Sequence, residues 1–196
     1  MRKVIPQSSV LIPDNAELVF DGVLYSTYHW PQTLFDGSSA TFEMLKRRDT
    51  AVIIGIADNK LILINEDQPH SGKRTTFPAG SAETADEDIK ATAAREMLEE
   101  TGYAFNSWRL LEVKQPANDI EWFVHIWLAY DIADITAQKT DPGEKIKVSL
   151  LEFSEVKKRV LADNGVLGEN KDLFSNLSSI DDLLSVPEFT GKVVDR

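Results

Sequence analysis

The chain has 196 residues, a net charge of −11 and no cysteine. This length suits one domain with a small addition, and the lack of cysteine excludes disulfides, thiolate metal sites and cysteine nucleophiles. The acidic balance argues against a nucleic-acid partner, because such proteins carry a basic face. The sequence contains neither an apolar run long enough to span a membrane nor a leader segment. We therefore expect a cytoplasmic protein with no membrane partner.

A small antiparallel sheet is predicted near the N-terminus, over residues 16–48. Three short apolar segments in this range are separated by Asp21-Gly22 and by Asp36-Gly37. An Asp-Gly pair between alternating apolar runs is a hairpin signal. The segments should therefore pair with one another in chain order.

A mixed sheet flanked by helices is predicted for the rest of the chain. Two apolar strands meet at an Asp58-Asn59 turn, and a polar loop follows over residues 67–76. A helix is expected from about Glu87 to Thr101. Later strands are expected at 108–114, 120–132 and 145–153, and later helices at 154–162 and 179–186. Strands around one long helix, with more helix at the end, indicate a mixed α/β or α+β sandwich.

The long helix has recognisable end signals. Thr84 and Glu87 fit a capping box, in which each side chain satisfies a free backbone amide, and Asp86 is a rival N-cap. Gly102 suits the left-handed conformation that ends many helices. The helix should therefore begin a few residues after Thr84 and stop at Gly102.

Three carboxylates crowd the last two turns of this helix, in the stretch AAREMLEETGY. Glu96, Glu99 and Glu100 have no basic residue three or four positions C-terminal to them, and acids at this end oppose the helix dipole. At about 100° per residue, Glu96 and Glu100 border the apolar stripe. The stripe is predicted to contain Ile89, Ala91, Ala93, Ala94, Met97 and Leu98. Two interpretations remain: an acidic face held by packing alone, or a site that binds a hard divalent cation.

The same segment resembles the box of the Nudix hydrolases, G-x5-E-x7-R-E-U-x-E-E-x-G-U, where U is apolar. Every specified position from Glu87 to Tyr103 matches this pattern. The first glycine departs from it, because Ser81 stands at its position and Gly80 comes one residue early. Reading Gly80 as that glycine implies a one-residue insertion in the next loop. The resemblance implies a Nudix-like αβα sandwich with a mixed sheet, in addition to the N-terminal antiparallel sheet.

The resemblance also implies a metal site. Glu96, Glu99 and Glu100 would be the metal ligands, with the backbone carbonyl of Ala79 or Gly80 beside them, and Glu99 would also be part of the catalytic group. The implied ion is Mg²⁺, with Mn²⁺ as a possible substitute. Such an ion polarises phosphoryl oxygens and lowers the pKa of a bound water. The expected substrate is therefore a diphosphate joined to another group and cleaved by water.

Other residues of the implied catalytic group have plainer alternatives. Arg95 would hold the carboxylates in place and Glu87 would pair with it, although Glu87 can equally act only as a helix cap. A general base is expected from the loop after the long strand. Glu144 fits best and Asp141 is second, although either can simply be a solvated loop acid.

The stretch FPAG before the box resembles the lead-in of the ADP-ribose pyrophosphatases. In that branch an N-terminal sheet packs across a homodimer, so residues 1–48 are predicted as a dimerisation element and residues 49–196 as the Nudix domain with C-terminal helices. The favoured activity is hydrolysis of ADP-ribose to AMP and ribose 5-phosphate, or of another nucleoside diphosphate sugar. The alternatives are a house-cleaning nucleoside triphosphate diphosphatase and a Nudix-fold sensor that binds a nucleotide without cleaving it.

Substrate contacts are the least specified part of this hypothesis. The expected Gln-Tyr-Arg-like run is replaced by Glu66-Asp67-Gln68, which has no arginine. Basic side chains elsewhere would then contact phosphates, and an aromatic ring would stack on the base. The candidates are Gln68, Lys73, Arg74, Arg47 and Arg48 for polar contacts, and Trp30, Tyr28 or Trp122 for stacking. Surface solubility or core packing is the alternative for each, and His125 is expected to be packed within its strand.

Overall fold

The computed structural model describes residues 2–84 and 88–195. The strands are β1 Arg2–Ile5, β2 Glu17–Asp21, β3 Ser26–Thr33, β4 Ser39–Lys46, β5 Thr50–Ala57, β6 Lys60–Gln68, β7 Gly72–Thr76, β8 Ala79–Ser81, β9 Tyr103–Lys114, β10 Ile120–Glu121, β11 Val124–Ile135, β12 Lys145–Leu151 and β13 Lys192–Asp195. The helices are α1 Ile89–Thr101, α2 Phe153–Ala162, α3 Lys171–Ser175 and α4 Ile180–Ser185, with a 3-10 turn at Leu167–Asn170.

The predicted N-terminal sheet is present. Strands β2, β3 and β4 pair antiparallel, and each connection contains one of the predicted Asp-Gly pairs. Gly37 has a φ of 84°, a left-handed conformation that glycine adopts without steric cost. Strand β10 adds to β4 in parallel, so the predicted strand at 120–132 is in fact split between two sheets.

The central sheet is mixed, as predicted. Its order is β12-β6-β5-β11-β9, with β11 parallel to β5 and antiparallel to β9. Asp58 and Asn59 form the tight turn between β5 and β6, with φ values of 50° and 57°. The prediction of a polar loop over residues 67–76 was wrong in part, because β7 pairs with β6 there and Gly72, with a φ of 72°, lies where the two strands connect.

Two apolar cores cover the two faces of this sheet. One core joins the sheet to α1, mainly through Ala93 and Met97. The other joins the sheet to α2, the 3-10 turn and the two C-terminal helices, with Phe174 stacked between Phe77 and Phe153. This is the αβα sandwich implied by the resemblance.

The C-terminal stretch, for which the sequence specified no role, closes this second core. Leu183 of α4 is fully buried there. Arg109 donates hydrogen bonds to the carbonyls of Leu184 and Val186, and β13 pairs with β1. The two ends of the described chain are therefore joined by a strand pair.

Helix α1 departs from the prediction at its start and on its apolar face. Its N-cap is Asp88, whose side chain accepts from the backbone N–H of Lys90, so Thr84 is not the cap. The rival cap Asp86 and the capping partner Glu87 lie outside the described residues. Gly102 ends the helix in the left-handed conformation, as predicted.

The buried stripe of α1 is also rotated relative to the prediction. Ala93 and Met97 are fully buried, but Ala91, Ala94 and Leu98 are exposed. The remaining buried residues of α1 are Thr92, Glu100 and Thr101. Glu100 therefore lies inside the buried stripe, whereas Glu96 stays at its border. None of the helices in the described part of the chain is long and apolar enough to cross a membrane.

His125 of β11 is packed within its strand, as predicted, with only 2% of its surface exposed. Burial is the main cause that lowers its pKa to about 4, and Asp49 acts in the opposite direction. The folded protein then binds fewer protons than the unfolded chain between pH 4 and about pH 6.5, so stability falls as the pH falls through this range.

We expect this histidine alone to account for roughly 3 kcal/mol of lost unfolding free energy between pH 7 and pH 4. Urea unfolding across that range, with His125→Gln as the non-titrating comparison, measures it. The variant should lose less stability on acidification than the parent. Equal slopes in the two proteins would contradict the assignment.

Candidate active site

The carboxylates of α1 meet the short strand β8. Glu100 is 5% exposed, and its Oε2 accepts a hydrogen bond of 3.0 Å from the backbone N–H of Ala79. In an antiparallel ladder the N–H and C=O of one residue point to the same side. Because the N–H of Ala79 faces Glu100, its carbonyl also faces away from β5 and toward α1.

Arg95 connects this helix to the other end of β8. Its Nη1 lies 2.8 Å from Glu96 Oε1 and 3.2 Å from Glu99 Oε2, and its Nη2 donates to the carbonyl of Ser81. Glu83 lies within 3.7 Å of Arg95 as well. Arg95 therefore contacts two of the three box carboxylates, and its role in holding them in place stays a prediction. Its predicted partner Glu87 lies outside the described residues.

Gly80 is the point of closest approach between β8 and α1. A Cβ atom at this residue would lie 2.0 Å from the carboxylate of Glu96. Only glycine therefore leaves room for that carboxylate. This contact supports reading Gly80, rather than Ser81, as the glycine that opens the box.

A second acidic group comes from β6 and from the loop before β12. Strands β6 and β12 pair antiparallel, which places Glu144 next to the end of β6. The Nε2 of Gln68 donates to Glu144 Oε1 at 2.7 Å and to Glu66 Oε2 at 3.0 Å. Arg74 donates to the other oxygen of Glu66. Glu144 is thus held by Gln68, whereas Asp141 is exposed.

The two acidic groups act on each other electrostatically. Burial, together with the charges of Glu96, Glu144 and Glu66, raises the pKa of Glu100 to about 9, although the hydrogen bond from Ala79 acts in the opposite direction. Burial also raises the pKa of Glu96, although Arg95 opposes this, and burial with the charge of Glu66 raises that of Glu144. The site therefore holds several carboxyl groups close together where their charged forms are poorly solvated.

This donor set fits a hard divalent cation with an incomplete protein shell. In residues 2–84 and 88–195, no group of three acidic or histidine side chains is arranged so that it could hold a metal ion by itself. Mg²⁺ is commonly bound by one or two carboxylates, waters and substrate phosphates rather than by a full set of protein ligands. Glu96, Glu100 and the Ala79 carbonyl supply oxygen donors of this kind.

Glu66 is the residue of this site that sequence reasoning missed. It is 4% exposed and lies within electrostatic range of Glu100 and Glu144. The sequence did contain a sign of this residue, because an acid stands at a buried position of an otherwise apolar strand. A charged side chain is rare at such a position unless it is paired. Its partners Arg74 and Gln68 were predicted instead to contact the substrate.

The other predicted substrate contacts are scattered. Lys73 is exposed on β7, next to Arg74. Trp30 packs against Phe42 on the N-terminal sheet, and no hydrogen bond or ion pair between described residues joins it to the carboxylates. Of the two alternative stacking residues, Trp122 packs against the guanidinium of Arg47. Tyr28 lines the cavity that is described next, together with Arg47.

Arg47 and Arg48 line a separate cavity of about 440 Å³, called here the hairpin cavity. Its walls are the loop between β2 and β3, part of β1, residues 46–49, the start of α1 and the facing parts of β9 and β11. It is not lined by any of the glutamates described above, namely Glu66, Glu83, Glu96, Glu99, Glu100 and Glu144. Arg48 donates to the carbonyl of Glu83, so residues 81–84 lie between this cavity and Arg95.

Comparison with known proteins decides the family. A sequence model of the NUDIX domain matches residues 46–169, well over half of the chain. The chain belongs to the NUDIX family. It is therefore a Nudix hydrolase by family, and the match includes α1, β8 and Glu144. Comparison with curated proteins gave no match.

Solved structures share the fold of this Nudix chain. One, titled as an ADP compounds hydrolase, has a TM-score of 0.66 and 20% identity, and the alignment covers 91% of this chain and 97% of that one. A NUDIX hydrolase from Nitrosomonas europaea has a TM-score of 0.53 and 19% identity, with 73% of this chain and 92% of that chain covered. At these identities the likeness shows the fold alone.

The contact at Gly80 leads to a direct prediction for this Nudix site. Gly80→Ala should displace the Glu96 carboxylate, since the side chain can rotate away while the backbone stays in place. We expect hydrolysis to fall about 10- to 100-fold, the range found when support of metal ligands is disturbed, with little change in melting temperature. Steady-state kinetics at varied Mg²⁺ tests this.

Gly165→Ala is the matched control, because a Cβ there meets only an ordinary contact of 3.4 Å with Asp163. The control should keep full activity. Full activity in Gly80→Ala would show that Glu96 is not needed where the structure places it.

Proposed function

We propose that this Nudix protein is a Mg²⁺-dependent hydrolase that cleaves the diphosphate of a nucleoside diphosphate joined to another group. The observation that carries the proposal is the convergence of Glu96 and Glu100 on the strand Ala79–Ser81, with Glu144 within electrostatic range. The metal, Mg²⁺ or Mn²⁺ in its place, polarises phosphoryl oxygens and acidifies a bound water when it is present.

The chain's own residues would divide the work. Glu96, Glu99, Glu100 and the Ala79 carbonyl are proposed to hold the metal. The Gly80 carbonyl, the other predicted donor, faces β5 because the carbonyls alternate along β8. Arg95 orients Glu96 and Glu99 through its ion pairs. Glu144 is proposed to take the proton of the attacking water, because Gln68 fixes one of its oxygens and leaves the other to act.

Positive charge for the substrate's phosphates is scarce near these carboxylates. Arg74 already forms an ion pair with Glu66, so it could bind a substrate phosphate only if that ion pair broke. Lys73 is exposed at the neighbouring position of β7, but it pairs with Asp67 and so lies on the opposite face of the strand from Arg74 and Glu66. We propose that neither Arg47 nor Arg48 contacts the substrate's phosphates, since those two arginines lie at the hairpin cavity.

ADP-ribose is the favoured substrate, with AMP and ribose 5-phosphate as products. Support comes from the FPAG lead-in of the sequence and from the fold shared along most of its length with a protein titled as an ADP compounds hydrolase. Other nucleoside diphosphate sugars are the next candidate substrates. The complete set of box carboxylates speaks against a sensor that binds without cleavage.

A substrate panel tests this choice. ADP-ribose, UDP-glucose, a dinucleoside polyphosphate and the nucleoside triphosphates are incubated with enzyme and Mg²⁺, and products are identified by phosphate-product analysis. We expect kcat/KM to be highest for ADP-ribose or another diphosphate sugar. Turnover of nucleoside triphosphates alone would replace the proposal with the house-cleaning diphosphatase.

We also propose that residues 1–48 form a dimer contact for the Nudix domain of residues 49–196. Strand β2 is an edge strand, and all five of its residues are exposed. The sheet and its loops present apolar side chains to solvent, namely Leu18, Val19, Phe20, Val23, Leu24, Phe35 and Phe42. An exposed apolar edge of this kind is a pairing surface unless it is covered. A cytoplasmic homodimer without nucleic-acid or membrane partners stays our prediction.

Phe20→Lys is expected to convert the protein from dimer to monomer, because it places a charge on this apolar edge. Size-exclusion chromatography with light scattering measures the mass. Leu161→Lys is the control, since Leu161 is a comparably exposed apolar residue on α2. A monomeric parent protein at micromolar concentration would rule out the dimer contact.

A further inference from the structure

Glu66 occupies a position of β6 that would otherwise suit an apolar side chain. It is 4% exposed, and it lies on the same face of the strand as Ile62, which packs with Met97 of α1. Burial of a carboxylate is unfavourable, and Glu100 and Glu144 within electrostatic range carry the same charge. A residue that breaks the apolar pattern in this way is expected to serve the neighbouring site rather than stability alone.

The two carboxylate oxygens of Glu66 have different partners. Oε1 accepts from the Nε of Arg74, which stands directly opposite Glu66 on β7. Oε2 accepts from the Nε2 of Gln68 at 3.0 Å. An ion pair that only joined β6 to β7 would need the first contact alone. The second contact directs the anchored carboxylate toward Gln68.

Gln68 extends this anchorage to Glu144. Its amide nitrogen has two N–H groups, and it donates to Glu144 Oε1 at 2.7 Å as well as to Glu66. Its amide oxygen accepts from the hydroxyl of Ser71 at 3.3 Å. The two carboxylates assign this orientation of the amide, because an amide oxygen facing both of them would be repelled. Gln68 therefore bridges the two acids.

The loop that carries Glu144 is held at its other end by α1. The backbone N–H of Lys139 donates to the carbonyl of Glu99 at 2.9 Å, and the side-chain amide of Gln138 donates to the carbonyl of Glu100. These contacts use carbonyls that the end of a helix leaves unpaired. They place the loop beside the box carboxylates, but they lie several residues before Glu144. The orientation of the Glu144 carboxylate therefore depends on Gln68.

We propose that Glu66 is a positioning residue for Glu144. Anchored by Arg74, it orients the amide of Gln68, which holds one oxygen of Glu144 and leaves the other to receive the proton of the attacking water. The proposed function of Glu144 as the general base underlies this role. Glu66 itself contacts neither substrate nor metal. Its removal should slow proton transfer and leave substrate and metal binding unchanged.

Glu66→Gln tests this role, because it keeps the size of the side chain but leaves only one acceptor atom. Arg74 is charged and is the stronger donor, so the new amide should turn its oxygen to Arg74 and its NH₂ group to Gln68. The bridge is then broken. We expect kcat for the best substrate of the panel to fall about tenfold, the effect of losing one hydrogen bond to a charged group. KM and the Mg²⁺-dependent rise in melting temperature should not change.

Glu121→Gln is the matched control. Glu121 is also 4% exposed, pairs with Lys46 at 3.1 Å and accepts from the backbone N–H of Ile12 at 2.8 Å. Its loss removes a buried, paired carboxylate that does not contact Gln68 or Glu144. The control should keep full kcat even if its melting temperature falls.

A double-mutant cycle separates positioning from a general structural effect. If Glu66 acts through Glu144, then Glu66→Gln should change kcat by less than about twofold in a Glu144→Gln background. The same should hold in Gln68→Met, which removes the bridge but keeps the ion pair of Glu66 with Arg74. A structural role, or a direct effect of the Glu66 charge on Glu100, would lower kcat by the same factor in every background.

A second measurement needs no hydrolysis. The side-chain NH₂ signals of Gln68 are followed by NMR in the ¹⁵N-labelled full-length protein in EDTA, and their loss in Gln68→Met identifies them. We expect Glu66→Gln and Glu144→Gln each to move these signals, because each variant removes one acceptor. Glu121→Gln should leave them in place. Unmoved signals in Glu66→Gln would show that the bridge does not form.

The results that would overturn this role differ from those that would overturn the proposed function. Equal losses of kcat from Glu66→Gln in the parent and in the Glu144→Gln background would exclude positioning, and loss of the Mg²⁺ effect would make Glu66 part of the metal site. Unchanged kcat in Gln68→Met would exclude the bridge even if Glu66→Gln folds poorly. A parent protein that hydrolyses no substrate of the panel would contradict the proposed function, and the base role of Glu144 with it.

Discussion

Replacing Glu100 with glutamine is expected to lower kcat/KM for metal-dependent hydrolysis by about 10³-fold or more, as expected when a main electrostatic group of a site is removed. Glu100 lies buried against Ala79, where its charge is the part of the side chain that a cation would use. The amide oxygen of glutamine can still accept the Ala79 N–H. The fold should therefore persist, and the melting temperature without metal should not fall.

Two measurements distinguish loss of metal binding from loss of structure. Ligands that bind only the folded state raise stability by about 2.7 kcal/mol at 100 times their Kd, so the parent should melt at a higher temperature with Mg²⁺. Glu100→Gln should lose this shift together with its activity. Glu155→Gln on α2 is the control, since it removes a helix carboxylate from an exposed pair with Arg159. Undiminished turnover by Glu100→Gln at saturating Mg²⁺ would refute the assignment.

Replacing Glu144 with glutamine is expected to lower kcat by about 10²- to 10⁴-fold, the usual contribution of a general base. Glu144 is held by Gln68 and feels the charges of Glu66 and Asp141. Unlike Glu100→Gln, this variant should keep its Mg²⁺-dependent rise in melting temperature. The two losses of activity would then have different causes.

The comparison with Asp141 makes the assignment specific. Asp141→Asn changes the rival base, which is exposed and lies only three residues away. It should retain most of the activity. The activity of Gln68→Ala should lie between the activities of Asp141→Asn and Glu144→Gln, because Glu144 stays present but loses the hydrogen bond that orients it. Greater loss in Asp141→Asn than in Glu144→Gln would reverse the roles of the two acids.

The parts of this molecule that were readable from sequence depend on local chemistry. Asp-Gly pairs and the Asp58-Asn59 turn fixed three hairpins, since their backbone conformations are set by residues next to each other. The box helix was recognisable because its carboxylates and Gly102 have fixed spacing. The αβα arrangement followed from the order of strands and helices.

The parts that were missed arise from contacts between distant residues. Glu66 and Glu144 meet because β6 and β12 pair, although they are 78 positions apart in the chain, and no spacing rule shows this. Likewise β7 was read as a loop because its residues are polar, yet it pairs with β6. The N-cap is Asp88 and not Thr84. Several adjacent polar residues could serve as the cap, and their spacing alone does not select one.

The hairpin cavity shows the same limit at the level of function. Arg47 was predicted to contact phosphate because it is basic and lies before the central sheet. The structure places it between Trp122 and Tyr25, on the far side of residues 81–84 from Arg95. A basic residue in sequence indicates that an anion can be bound, but only the packing shows what that residue contacts.

The most direct test of the central proposal is hydrolysis of ADP-ribose by the purified full-length protein in ¹⁸O-labelled water, with Mg²⁺ or with EDTA. Mass spectrometry of the products reports both the bond cleaved and the metal requirement. We predict AMP and ribose 5-phosphate, one ¹⁸O atom in one of the two phosphates, and no reaction in EDTA. Equal turnover in EDTA, or no phosphomonoester from any diphosphate-linked nucleoside, would contradict a metal-dependent diphosphate hydrolase.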